Sequence, residues 1–124
     1  NAGELQGYLF EEASFISYRL RLVSGWRPDP GSCGSEPCLV VDNQPLNWQS
    51  VGGHCAKLDT YSGLAKGGDV WARLYQETAA ACTRAAPYIP RVTEATTDEQ
   101  NKAWAIEALG DLPAAVEAAK AALE

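Results

Sequence analysis

The chain has 124 residues, the length of one small domain, with 46% hydrophobic residues and a formal charge of −6 from 16 acids against 10 bases. That content is enough for a core, and the acidic balance argues against a nucleic-acid partner, which needs a clustered cationic face. No apolar run approaches the roughly 20 residues of a membrane-spanning helix. The charge divides evenly, −3 in each half, so neither end reads as a charged tail.

Methionine is absent even from position 1, as in a processed or trimmed chain. Asn1-Ala2 reads as a cloning scar and is set aside; removal of a signal peptide is another route to such a start. From there Leu5, Leu9, Ala13, Ile16, Leu20 and Val23 keep helical spacing and predict one helix over 4–24. Ile16, Tyr18, Leu20 and Leu22 also alternate with polar residues, so a helix followed by a strand is the alternative. A helix throughout places Glu12 inside the apolar stripe, where a carboxylate must be paired, protonated or functional. Arg19 or Arg21 is its expected partner. Residues 25–37 hold three prolines and three glycines and form a loop. Cys38-Leu39-Val40-Val41-Asp42 is β-prone, Leu46-Asn47-Trp48 is expected to add an extended segment, and Gly52 to Gly68 to alternate short helical pieces with glycine breaks.

The second part is alanine-rich and more regular. Ten of 11 glycines lie at or before Gly68, while 17 of 20 alanines follow residue 62. Asp69 caps a helix running to about Ala86, stopped by Pro87 and Pro90. Thr97 or Asp98 starts the next, with Trp104, Ile106 and Leu109 as its larger apolar residues. Gly110 ends it, and Asp111 caps the last, with Pro113 in its first turn. That helix is expected to bury Leu112, Ala115, Val116, Ala119, Ala122 and Leu123, making an αα-hairpin with its predecessor. The fold class is mainly α: one domain over 1–124, with an aromatic, loop-rich half (3–68) and an Ala-rich helical half (69–124). It comprises about four helices stapled by disulfides, with an irregular loop carrying at most a short β-hairpin.

Four cysteines, Cys33, Cys38, Cys55 and Cys82, allow three pairings. Cys33 and Cys38 flank a turn-prone Gly-Ser-Glu-Pro, leaving Cys55 and Cys82 to tie the middle of the chain to a helix. Two such bridges imply an oxidising compartment, periplasmic or extracellular. A metal site from Cys33, Cys38, His54 and Cys55 competes, but its spacing matches no common zinc pattern. No cofactor is implied.

At residues 99–124 the sequence resembles a tetratricopeptide repeat: Ala-Leu-Gly-Asp-Leu (108–112), Ala115-Val116, Ala119 and Ala122-Leu123-Glu124 follow the second helix of that family's unit, and Ala103 sits where paired helices pack. Glu99 and Lys102 depart from its pattern, and no second copy precedes it. The resemblance implies helical-hairpin packing and a protein-binding surface.

Chemistry is sparse. Cysteine catalysis would need a thiol left unbridged near His54. Carboxylate chemistry would rest on Glu11 and Glu12, with Asp59 and Asp69 as distant partners. No G-x-S-x-G or P-loop spacing occurs. Trp26 and Trp48, beside Arg27, Asp29 and Asn47, are the candidate partner-binding residues, although aromatic cover for a small core is the simpler role. The expected function is a secreted or periplasmic protein-binding module, such as an inhibitor, immunity protein or assembly accessory factor, with a basic protein as partner. Two other readings are a ligand-binding or sensory domain with a pocket of Tyr8, Trp71, Tyr75 and Trp104, and a small hydrolase.

Overall fold

A computed structural model describes residues 2–25 and 44–123 of the chain. The described residues form five α-helices joined by 3₁₀ turns, with no strand among them: α1 (Ala2–Val23), α2 (Gln44–Cys55), α3 (Val70–Ala85), α4 (Asp98–Leu109) and α5 (Leu112–Leu123). The longer 3₁₀ segment is Leu58–Lys66 and the shorter Ile89–Arg91. Trp26, Arg27, Asp29, Cys33, Cys38 and the β-prone run 38–42 lie outside the described residues.

The helical reading of 4–24 holds as far as Val23, with no strand in the stretch, and α1 is the axis of the fold. Its 22 residues span about 33 Å. Leu9, Ala13, Ile16, Leu20 and Val23 are all at most 1% exposed, the expected face at the expected spacing. Every other α-helix packs on α1, so the core is built around that face. Each large aliphatic buried there contributes on the order of 2 kcal/mol, which makes α1 the costliest element to disturb.

α2 departs from the sequence reading. Leu46-Asn47-Trp48 is helical rather than extended, and the helix runs through Gly52-Gly53 to Cys55, which raises the helix count from about four to five. Pro45 sits in the first turn, where its missing N–H costs nothing. Asn47, Trp48 and Val51 are all fully buried at helical spacing. Their burial outweighs the roughly 1 kcal/mol that each interior glycine costs a helix. Gly52 also admits a close neighbour: a Cβ there would lie 3.3 Å from Ile89 Cδ1.

α3 begins as expected. The Asp69 side chain accepts from the backbone N–H groups of Trp71 and Ala72 at 3.1 and 3.0 Å. Thr97 caps α4 in a reciprocal capping box with Gln100. Cys55 and Cys82 are bridged as the sequence implied, Cα atoms 5.8 Å apart, tying the end of α2 to α3 across 27 residues. In the chain-entropy account that loop gives roughly 3–4 kcal/mol.

The C-terminal hairpin is not formed. α4 and α5 follow one another directly but scarcely touch; both lie against α1 and α3 instead. Gly110 turns the chain with φ +47, and Arg84 of α3 reaches this corner, donating from Nε to the Ala108 carbonyl at 3.1 Å and from Nη2 to the Leu109 carbonyl at 3.4 Å. The C-terminal carbonyls of α4 are thus satisfied by another helix, which holds the corner open. Each alanine face is consumed by α1 and α3, through Ala105 and Ala108 from α4 and Ala115 and Ala119 from α5. Leu123 is 51% and Ile106 62% exposed, and Ala122 is also exposed, against the expected burial of Ala122 and Leu123.

Candidate functional site

Polar side chains converge most densely along the contact of α1 with α2. On α1, Glu12, Phe15 and Arg19 stand three and four residues apart, on one side of the helix. On α2, His54 and Asn47 stand seven apart, also on one side. The two rows meet in opposite directions: Glu12 reaches His54 at one end, and Arg19 reaches Asn47 at the other. Phe15 fills the space between. Its ring lies 3.9 Å from that of His54, tilted by 34°, and the Arg19 guanidinium sits over its centroid at 4.8 Å.

The partner of Glu12 is therefore His54, not Arg19 or Arg21. His54 Nδ1 donates to Glu12 Oε2, with both side chains largely withdrawn from solvent. A carboxylate on Nδ1 fixes the imidazole's orientation and leaves Nε2 on the far side. In a hydrolase such an imidazole takes a proton from a nucleophile. Among the described residues no hydroxyl or thiol is hydrogen-bonded to it: Cys55 and Cys82 are oxidised together, and no cluster of three metal-ligating side chains is present. Tyr61, from the 3₁₀ segment, stands close enough to feel Glu12. Burial, then the charges of Glu12 and Glu11, push its hydroxyl above the ordinary 10.0.

Arg19 Nη1 donates to Asn47 Oδ1 at 2.9 Å. Beside Asn47, Trp48 is fully buried and its indole N–H donates to Asn101 Oδ1 of α4 at 3.2 Å. A ring enclosed on all sides with its one donor satisfied inside cannot present itself to a partner, so the surface role expected of Trp48 is corrected to a core role. The interior asparagines were not singled out by sequence reasoning, and only their spacing on buried helix faces could have marked them.

The four aromatics of the expected pocket differ in their surroundings. Tyr8 is 54% exposed, Trp71 is buried, and none of Tyr8, Trp71, Tyr75 and Trp104 makes a ring contact with another. Trp104 instead stacks on Tyr88 with centroids 5.0 Å apart and planes within 7°. The Tyr88 hydroxyl donates to Glu107 Oε2 at 2.6 Å, and this bond, with burial and the Glu107 charge, raises its pKa despite Arg91 nearby.

Charge is sorted by element. Between residues 44 and 91, five cations (Lys57, Lys66, Arg73, Arg84, Arg91) meet three acids (Asp59, Asp69, Glu77). Between 92 and 123, six acids (Glu94, Asp98, Glu99, Glu107, Asp111, Glu117) meet two lysines (Lys102, Lys120), and all eight side chains are exposed. The even split at mid-chain concealed this, because its boundary falls inside the cationic stretch. None of the six acids forms an ion pair among the described residues. No family model, curated protein or solved structure matches the chain.

Proposed function

We propose that this chain is a non-enzymatic protein-binding module that works outside the reducing cytosol, in the periplasm or after secretion, and engages a basic protein through the exposed side of α4 and α5. An inhibitor, immunity protein or assembly accessory factor would act in this way. The observation that carries the reading is the acidic α4–α5 segment with Ile106 at 62% exposure within it. An exposed isoleucine on a helix that also carries exposed acids supplies apolar area beside charge, the two components of a recognition patch. The carboxylates would steer a cationic partner and speed its approach. The compartment rests on the Cys55–Cys82 bridge, since such bonds persist where thiols are oxidised; no helix among the described residues is long and apolar enough to cross a membrane.

The test is association of the full chain with a partner captured from its native surroundings, read with and without charge reversal of Glu99 and Glu117. The double reversal slows association by about tenfold or more at low salt, and the difference shrinks as salt screens it. Unchanged association in both salts would remove this face from the interface.

A further inference from the structure

The last turn of α2 and the two residues after it, 52–57, are held by few side chains. Val51 before them and Leu58 after them are buried. Between these anchors Gly52 and Gly53 carry no side chain, and Ala56 and Lys57 are exposed. The bonds from Ala56 N–H to the Gly52 carbonyl and from Lys57 N–H to the His54 carbonyl close within the stretch itself. Apart from the passage of Gly52 beside Ile89, two consecutive side chains make the holds among the described residues. His54 pairs with Glu12 and packs on Phe15 of α1, and Cys55 is bonded to Cys82 of α3. Neighbouring residues on a helix point about 100° apart, so this turn is strung between two different helices.

Helix propensity does not back either hold. Each interior glycine costs a helix about 1 kcal/mol, and two stand directly before His54. Cys55 and Cys82 are both partly exposed, which leaves their bond near the surface. We propose that the Cys55–Cys82 bond and the Glu12–His54 pair form one redox-sensitive latch: reduction of the bond by a dithiol frees residues 52–57 and releases His54 from Glu12. A thiolate of the reductant attacks one sulfur, and the other cysteine leaves with the bonding electrons and takes up a proton. The reductant's second thiolate then attacks its own sulfur in the mixed disulfide and frees the second cysteine. Two electrons and two protons pass to the chain, and the reductant is left as a disulfide. Val51 and Leu58 stay buried and confine the opening to the stretch between them. Linkage makes the effect reciprocal: as far as the bond favours the pair, the pair favours the bond. In an oxidising compartment the latch is shut. No residue of α4 or α5 takes part, so the inference stands apart from the reading of that face.

Amide exchange and the His54 ring resonances of the full chain are compared at one fixed pH, without denaturant, before and after treatment with dithiothreitol. After reduction the amides of 52–57 exchange about tenfold faster or more, the His54 resonances move, and protection in α1 and α5 is retained. A chain with Cys55→Ser and Cys82→Ser shows the same change without reductant, which assigns it to this bond. In the reverse direction, Glu12→Gln and the unmodified chain are equilibrated in the same dithiol–disulfide buffer, and alkylation of Cys55 and Cys82, read peptide by peptide, gives the fraction reduced. The variant shifts that equilibrium towards the thiols by about three- to fivefold. Exchange that is unchanged at 52–57 on reduction, or raised equally along the whole chain, overturns the proposal, and so does an equilibrium that a folded Glu12→Gln chain leaves where it was. The unmodified chain decides the matter even if that variant does not fold.

Discussion

The α1–α2 contact and the α4–α5 corner place polar groups in opposite ways. Along α1 and α2, charged and amide groups are drawn in and matched across the interface, Glu12 with His54 and Arg19 with Asn47. At the corner, alanines are drawn in and the carboxylates are left outside, without ion pairs among the described residues. The first arrangement specifies how two helices align, since each end of the row has one polar partner. The second aligns nothing by charge: α4 and α5 are placed by Ala packing, by Arg84 on the α4 carbonyls and by the turn at Gly110. Unpaired carboxylates there are free to meet another molecule; those in the α1–α2 row are not.

The sharpest way to break this contrast is at the axis that both regions share. Leu20→Ala, at a fully buried position of α1, is expected to cost about 2–5 kcal/mol in denaturant unfolding. Removing the α2–α3 tie with Cys55→Ser and Cys82→Ser together is expected to cost roughly 3–4 kcal/mol, and reduction of the unmodified chain should lower the melting temperature in parallel. At the corner, Gly110→Ala forces a Cβ onto a backbone with φ +47 and against the Arg84 guanidinium, for an expected loss of about 1–3 kcal/mol. In the row, a double-mutant cycle on Glu12→Gln and His54→Gln should give a coupling of about 1 kcal/mol, since both groups keep some contact with water. The same cycle on Glu99 and Lys102 should give nothing measurable.

The pH dependence divides along the same line and is smaller. Tyr61 and Tyr88 both have raised folded-state values above 10.0, so the folded state holds those protons more tightly than the unfolded chain. Their stabilisation is complete below about pH 10 and is lost as pH rises through the folded values. Tyr61→Phe should flatten the alkaline fall of the melting temperature by removing a hydroxyl near Glu12, and Tyr88→Phe by removing one bonded to Glu107.

What the sequence made legible follows from local rules. The α1 face, the Asp69 and Thr97 caps, the stop after Ala86 and the Cys55–Cys82 tie are each set by residues within a few positions or by an even cysteine count. What it hid depends on tertiary surroundings. α2 reads as extended and glycine-broken because its helix rests on where Asn47, Trp48 and Val51 are buried, not on its own propensity. The expected hairpin follows from adjacency in sequence, yet α4 and α5 each pack on α1 and α3, leaving Leu123 and Ile106 outside. Glu12 was recognisable as a carboxylate in need of a partner. That the partner is His54 depends on the antiparallel approach of α2, which no spacing within α1 encodes.

The four lysines allow the most direct test of the partner-binding face, because two of them, Lys57 and Lys66, lie in the cationic stretch and two, Lys102 and Lys120, on α4 and α5. All four are exposed, so an amine-reactive cross-linker applied to the chain in complex with its captured partner samples both regions. Cross-links to the partner from Lys102 and Lys120, with few or none from Lys57 and Lys66, are the predicted result. Cross-links confined to Lys57 and Lys66 would contradict the account.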